Sequence, residues 1–283
     1  MVMRKIVVFL LLCLFGGWIL SSQAQSFDNL WKQVEQADKQ SLPQTAIKLT
    51  DNIFRKAEAE KNSPQMLKAY IRQAKYQENL TPDSFYVHLA DIEHWANTAP
   101  VPLDRAILHS FVAEIYADYA YRNSWQLRNS KKIADDEQLT DIREWSSNMF
   151  EQKVLEHTRM ALKDSLLLLE TSSKTYIPFV VTNKTSDYYG HDMYHLLTLR
   201  GTNALSRLLS DENSTVPAEA YSLFHTMIDT YRKRNNQDAV LLATLDSMSW
   251  NRNAIVSWNR NNELAEETLN RLIAENESRE ICA

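Results

Sequence analysis

The one stretch of this chain with the spacing of metal ligands is His191-Asp192-Met193-Tyr194-His195. Residues four apart share one face of an α-helix, so His191 and His195 would offer two imidazoles to a single ion, with Asp187 or Asp192 as a further ligand. The metalloprotease version of the pattern needs a glutamate after the first histidine as general base, together with a third ligand. Position 192 is aspartate instead. A helix start whose histidines bond the preceding loop or neighbouring helices accounts for the same residues without an ion. The expectation is therefore no cofactor and no bound metal, with His191 and His195 as the candidates should an ion be held.

Other chemistry is thinner still. No serine or threonine stands in a glycine-flanked nucleophile turn, and Cys282 has only Arg279 nearby to lower its pKa. His157 falls between Val154 and Ala161 on an apolar face, and with His88, His94 and His109 it reads as a structural histidine. The chain has only four glycines, two of them in the first two dozen residues, which leaves Gly190 and Gly201. Tight turns, phosphate-cradling loops and nucleophile elbows depend on the backbone freedom of glycine. Its scarcity predicts a chain that is nearly all helix and not an enzyme.

Those helices announce themselves by punctuation and period. Pro43, Pro64, Pro82, Pro100 and Pro102 divide the first third of the chain. Proline is tolerated at the start of a helix, where its missing N–H would have no partner, and Ser63 and Thr81 stand as N-caps before Pro64 and Pro82. Each interval then holds one helix and a short turn. Pro43 to Pro82 spans about 39 residues, close to the period of helix-pair repeats of the tetratricopeptide and HEAT kinds. Apolar residues recur at helical spacing within the intervals: Ala46, Ile47, Ile53 and Phe54, then Met66, Leu67, Tyr70, Ile71 and Ala74, then Phe85, Leu89, Ile92 and Trp95. A further stripe steps by four from Ile107 through Phe111 and Ile115 to Tyr119.

The pattern weakens over 123–140, which reads as a solvated connector and a candidate sub-boundary. It returns as one long helix over 142–169. Residues 171–189, with Tyr176-Ile177-Pro178-Phe179, are too β-prone to continue a helix and read as a long non-helical loop. Helices resume at 190–209, after Pro217, over 238–258 and over 262–277. The charged end of the chain, Arg279 to Ala283, reads as running on into a longer protein. The expected fold is all-α, with helical hairpins stacked in a tetratricopeptide-like or irregular α-solenoid over residues 25–283.

The N-terminus speaks of destination. Arg4 and Lys5 precede an uncharged apolar run from Ile6 to Leu20, too short for the roughly 20 residues that span a bilayer, and Ser22-Gln23-Ala24 supplies small residues for cleavage after Ala24. Residues 1–24 are thus expected to be a signal peptide, with the protein exported to the periplasm or the cell surface and touching membrane only through that segment. The chain carries a net charge of −5, and losing Arg4 and Lys5 makes the remainder more acidic. With no basic run longer than Arg232-Lys233-Arg234, a nucleic-acid partner is not expected. Protein partners are. Most tryptophans lie on apolar stripes and read as core, whereas Trp125, with Tyr188, Tyr189 and Gly190 beside the long loop, are the candidate interaction residues.

Several segments carry a family likeness. They are Ser26-Phe27-Asp28-Asn29-Leu30-Trp31-Lys32-Gln33-Val34, Leu42-Pro43-Gln44-Thr45, Tyr76-Gln77-Glu78-Asn79-Leu80-Thr81-Pro82-Asp83-Ser84-Phe85-Tyr86, Arg105-Ala106-Ile107-Leu108-His109-Ser110, Leu168-Leu169-Glu170-Thr171-Ser172-Ser173 and the run from Tyr188 to Leu197. Together they resemble the N-terminal region of large exported alpha-2-macroglobulin-like proteins of Bacteroidetes-type bacteria. The resemblance implies a helical leader ahead of β-sandwich domains, in a protein whose full-length form traps proteases in envelope defence. No thioester motif of the Cys-Gly-Glu-Gln type and no bait region occur in these residues, so the implied role of this chain is a non-catalytic structural or protein-interaction module. The alternative is a carbohydrate-binding or peptide-binding helical-repeat protein of the cell envelope.

Overall fold

A computed structural model describes residues 26–129, 141–181, 192–208, 215–254 and 258–277. Within them the chain forms twelve α-helices and two 3-10 turns, with no strand among the described residues. The all-α expectation holds. The chain divides into two compact units at Pro82/Asp83.

The first unit comprises α1 (Phe27–Lys39), α2 (Pro43–Ala59) and α3 (Ser63–Leu80), with α2 packed on both neighbours. Ser26 caps α1 by accepting from the Asn29 N–H, while Asp28 and Lys39 place charges of the favourable sign at its two ends. The buried faces follow the helical period: Leu30, Trp31, Val34 and Ala37 on α1, and Ala46, Thr50, Ile53 and Ala57 on α2. Pro43 opens α2 as expected. Asn62 rather than Ser63 caps α3, and Thr81 ends that helix instead of starting the next, because the residue before a proline is driven into extended backbone.

The corners of this unit solve the turn problem without glycine. After α1, the Leu42 N–H donates to the Ala37 carbonyl at 2.9 Å and the Ser41 N–H to Asp38 at 3.0 Å, with Ser41 at φ 56°. After α2, Asn62 donates to Ala57 at 2.8 Å and Lys61 to Glu58 at 3.1 Å, with Lys61 at φ 54°. These are Schellman endings, in which a left-handed residue turns the chain so that two terminal carbonyls find donors. Few glycines thus did not mean few left-handed corners.

The second unit contains α4 (Ser84–Thr98), α5 (Pro102–Arg122), α6 (Ser124–Asn129), α7 (Ser147–Ala161), α8 (Ser165–Glu170), α9 (Met193–Ser206), α10 (Val216–Lys233), α11 (Gln237–Ala254) and α12 (Trp258–Asn276). Helix α5 is its axis, packed against α4, α7 and α9, and α9 in turn meets α7, α8, α10 and α11. Surrounded in this way, α5 buries Ala106 through Ser110 together with Val112, Ala113, Tyr116, Ala117 and Ala120. The narrow stripe expected at 107, 111, 115 and 119 is therefore too narrow: only Ile107 of those four is fully buried. Where α7 and α9 meet, Gly201 does need to be glycine, since a Cβ there would collide with the methyl group of Thr158.

Two further expectations change. The single helix over 142–169 is three pieces: a 3-10 turn at Ile142–Glu144, then α7, then α8. Trp145 is extended, Ser146 accepts from the Met149 N–H to start α7, and residues 162–164 form a turn. The stretch 123–140 is also no division between units, because α5 and α7 on either side of it pack together. The described part of the 171–189 loop carries a 3-10 turn at Ser173–Tyr176, with Tyr176 buried, and Ser172 is bridged to Asp192. The expected signal peptide, residues 1–24, lies outside the described residues. No helix among the described residues is long and apolar enough to cross a membrane.

Candidate functional site

In the second unit, α4, α5, α7 and the turn around Ile142–Glu144 surround a cleft of about 560 Å³. Leu89, Ala90 and Ile142 supply its apolar wall, Tyr86, Tyr116 and Trp145 its rings, and Glu93, Asp141, Arg143 and Lys153 its charges. The rings are already committed. Tyr116 stacks on Trp145 with centroids 5.5 Å apart, and the Arg143 guanidinium lies over Tyr86 at 5.2 Å. Arg143 also donates from Nε to both carboxylate oxygens of Asp141 at 2.9 Å, which holds the Asp141 carboxyl down at about 2.

Behind the cleft runs a chain of polar side chains that three helices bring together. From α4, Glu93 reaches the centre; its Oε2 accepts from the Tyr116 hydroxyl of α5 at 2.9 Å, and its Oε1 lies 3.2 Å from Nε2 of His157 on α7. His157 Nδ1 is in turn 3.0 Å from Nδ1 of His109 on α5. Lys153 stands 3.6 Å from Glu93 and 3.1 Å from Glu156. Both histidines are buried, as their apolar surroundings predict, while Glu93 keeps an edge on the cleft.

The electrostatics follow from these contacts. Hydrogen bonds from His157 and Tyr116 outweigh burial and hold the Glu93 carboxyl down at about 2. Burial, reinforced by neighbouring His157, pushes His109 down to about 4. Burial and the Glu93 charge raise Tyr116 well above the ordinary phenol range, so its hydroxyl stays protonated and donates to Glu93. Because an ionised carboxylate only accepts, Nε2 of His157 must carry a hydrogen. The arrangement fixes three helices against one another and holds one negative charge at the cleft edge.

The residues singled out by spacing go elsewhere. Asp192 is extended and caps α9, its Oδ1 accepting from the His195 N–H and from the Tyr231 hydroxyl, both at 2.8 Å. Helix α9 begins at Met193, with Asp192 as its N-cap. His195 is buried, with Nε2 2.7 Å from Asp246. Among the described residues no group of three or more His, Cys, Asp or Glu side chains is placed to hold a metal ion. His191 itself, with Asp187, Tyr188, Tyr189, Gly190 and Cys282, lies outside the described residues. Trp125 is 70% exposed on α6 and does not line the cleft, and His94 is exposed rather than structural.

The cleft was not foreseen. Its members are scattered from position 86 to 153, and the only signal was two histidines in apolar helical faces, each of which needs a polar partner once buried. No protein-family model, curated protein or solved structure matches the chain.

Proposed function

We propose that this chain is an exported, non-catalytic recognition module that binds an extended peptide segment of a protein partner in the cleft of its second unit. The observation that carries this is the composition of the cleft. A short apolar wall is flanked by charges of both signs, Glu93 with Lys153 and Asp141 with Arg143. An extended peptide offers alternate apolar side chains for such a wall and backbone dipoles for such a rim. The buried chain behind the cleft supports the same reading, since its histidines are enclosed and its carboxylate is held in place by His157 and Tyr116, a framework for holding a shape. In the family setting suggested by the sequence, this module would stand ahead of macroglobulin domains in a protease-trapping envelope protein.

Glycan binding is the second reading, favoured by the three rings at the cleft. It ranks lower because sugars stack on open ring faces, and here Tyr86 is covered by Arg143 while Trp145 and Tyr116 cover each other.

Arrays of short synthetic peptides and of oligosaccharides, probed with the full chain and with Ala90→Trp, test both. Ala90 is an exposed helical position on the cleft wall, so the larger ring fills the cleft without entering the core. Peptide binding lost in Ala90→Trp is the expected outcome. Oligosaccharide binding alone transfers the cleft to the second reading, and binding insensitive to Ala90→Trp removes the cleft from both. The family setting has its own test: β-sandwich sequence continuing the reading frame past codon 283 supports it, and a stop codon there overturns it.

A further inference from the structure

The two imidazoles behind the cleft meet nitrogen to nitrogen, Nδ1 to Nδ1 at 3.0 Å, and that contact has room for one hydrogen. Glu93 already requires a hydrogen on Nε2 of His157. With His157 neutral, its Nδ1 accepts from His109; with His157 charged, it donates to both His109 and Glu93. The pair can thus take up one extra proton and keep its hydrogen bond. A second extra proton puts two N–H groups face to face and two cations side by side in a buried site.

We infer that this histidine pair makes the cleft acid-sensitive: full protonation breaks the contact between α5 and α7 and opens the cleft built on it. The inference rests on the cleft as the site of recognition and adds its regulation. The charges around the pair set how hard the joint is pressed. From α4 comes Glu93, and from α7 come Glu156, which opposes the effect, and Lys153, which adds to it. Helix α5 itself contributes Arg105 and the neutral Tyr116. The nearest cation from α9, Arg200, is held by Glu114 at 2.7 Å and by Ser110 at 2.9 Å. Two carboxylates therefore face two histidines, a lysine and an arginine.

The direction with pH is fixed by linkage. His109 ionises near 6.5 when solvated and near 4 when folded. Between those values the unfolded chain binds more protons, so stability from this site is complete above about 6.5 and falls as the pH drops toward 4. Glu93, held at about 2 against its ordinary 4.5, acts the same way in a lower window, losing its contribution as pH falls through that range. The two events run in sequence, histidine first.

The test needs no ligand, so its failure and the failure of the peptide reading can be told apart. In the full chain with Cys13→Ser and Cys282→Ser, which leaves no other thiol, an environment-sensitive fluorophore on Ala90→Cys reports exposure of the cleft wall. The expected result is a reversible emission shift as pH falls from about 6.5 to 4, with helical circular dichroism retained, and loss of that shift in His109→Gln, which keeps a donor for His157 but cannot charge. An equal shift in His109→Gln, or none in the parent, overturns the inference. Should His109→Gln not fold, nitrogen NMR of the histidine rings in the parent decides: His109 titrating near its ordinary 6.5 overturns it, and titration displaced to near 4 supports it.

Discussion

Residues 26–82 and the described residues of 83–277 are both helical, but they are held together by different means. In the first unit the periodic apolar faces of α1, α2 and α3 do most of the work, with a buried pair of polar side chains in Trp31 Nε1–H donating to Gln65 Oε1 at 2.7 Å. In the second, α5 is enclosed on several sides, so its sequence cannot keep polar residues out of the interior. They are instead linked across helices, as His109–His157–Glu93–Tyr116, Asp192–Tyr231, His195–Asp246 and Arg200–Glu114. A helix with one covered face can be specified by period alone, whereas a helix covered all round needs directional partners to fix its rotation and register.

Substitutions can break this contrast in order of size. Glu93→Leu strands the Nε2–H of His157 and the Tyr116 hydroxyl together, and should cost about 3 kcal/mol, measured by denaturant unfolding with hydrogen exchange assigning the loss to α4, α5 and α7. Gly201→Ala forces α7 and α9 apart at Thr158; a loss of about 2 kcal/mol is expected from overpacking, and a neutral result would mean that the close approach is easily relaxed. In the first unit, Gln65→Leu removes only one acceptor, leaving the Trp31 N–H alone, for about 1 kcal/mol. A larger loss than that from Glu93→Leu would erase the distinction between the units. The smallest change has the opposite sign: Lys61→Gly relieves a left-handed Cβ and should raise stability by up to about 1 kcal/mol, with Asn235→Gly giving less because asparagine tolerates that conformation. Asn235 ends α10 in the same way, at φ 55°.

How legible the molecule was in its sequence follows the same divide. Ala46, Ile53 and Leu67 declared their faces by period, and Pro43 and Pro102 their helix starts. On α5 the period misled, since a helix buried on several sides has no single stripe to show. Over 142–169 an unbroken apolar rhythm hid two breaks, because Ser146 is visible as a helix start only when Trp145 before it is known to be extended, and the turn at 162–164 has no glycine or proline to mark it. At the site, sequence spacing drew attention to His191 and His195, four apart, whereas His109 and His157, 48 apart, are the histidines that meet. Local spacing can nominate a pair on one helix. Pairs between helices depend on which helices become neighbours, and no local pattern states that.

The left-handed corner at Lys61 has a consequence for proteolysis. Lys61 is exposed at a helical hairpin, which by exposure alone makes it a natural target for a lysine-specific enzyme. Cleavage, however, requires the substrate to lie extended through the enzyme's cleft, and here two backbone hydrogen bonds coil the chain tightly around the scissile residue. Accessibility and cleavability part company at this corner, so a cut after Lys61 would mark a molecule in which the end of α2 had already unwound.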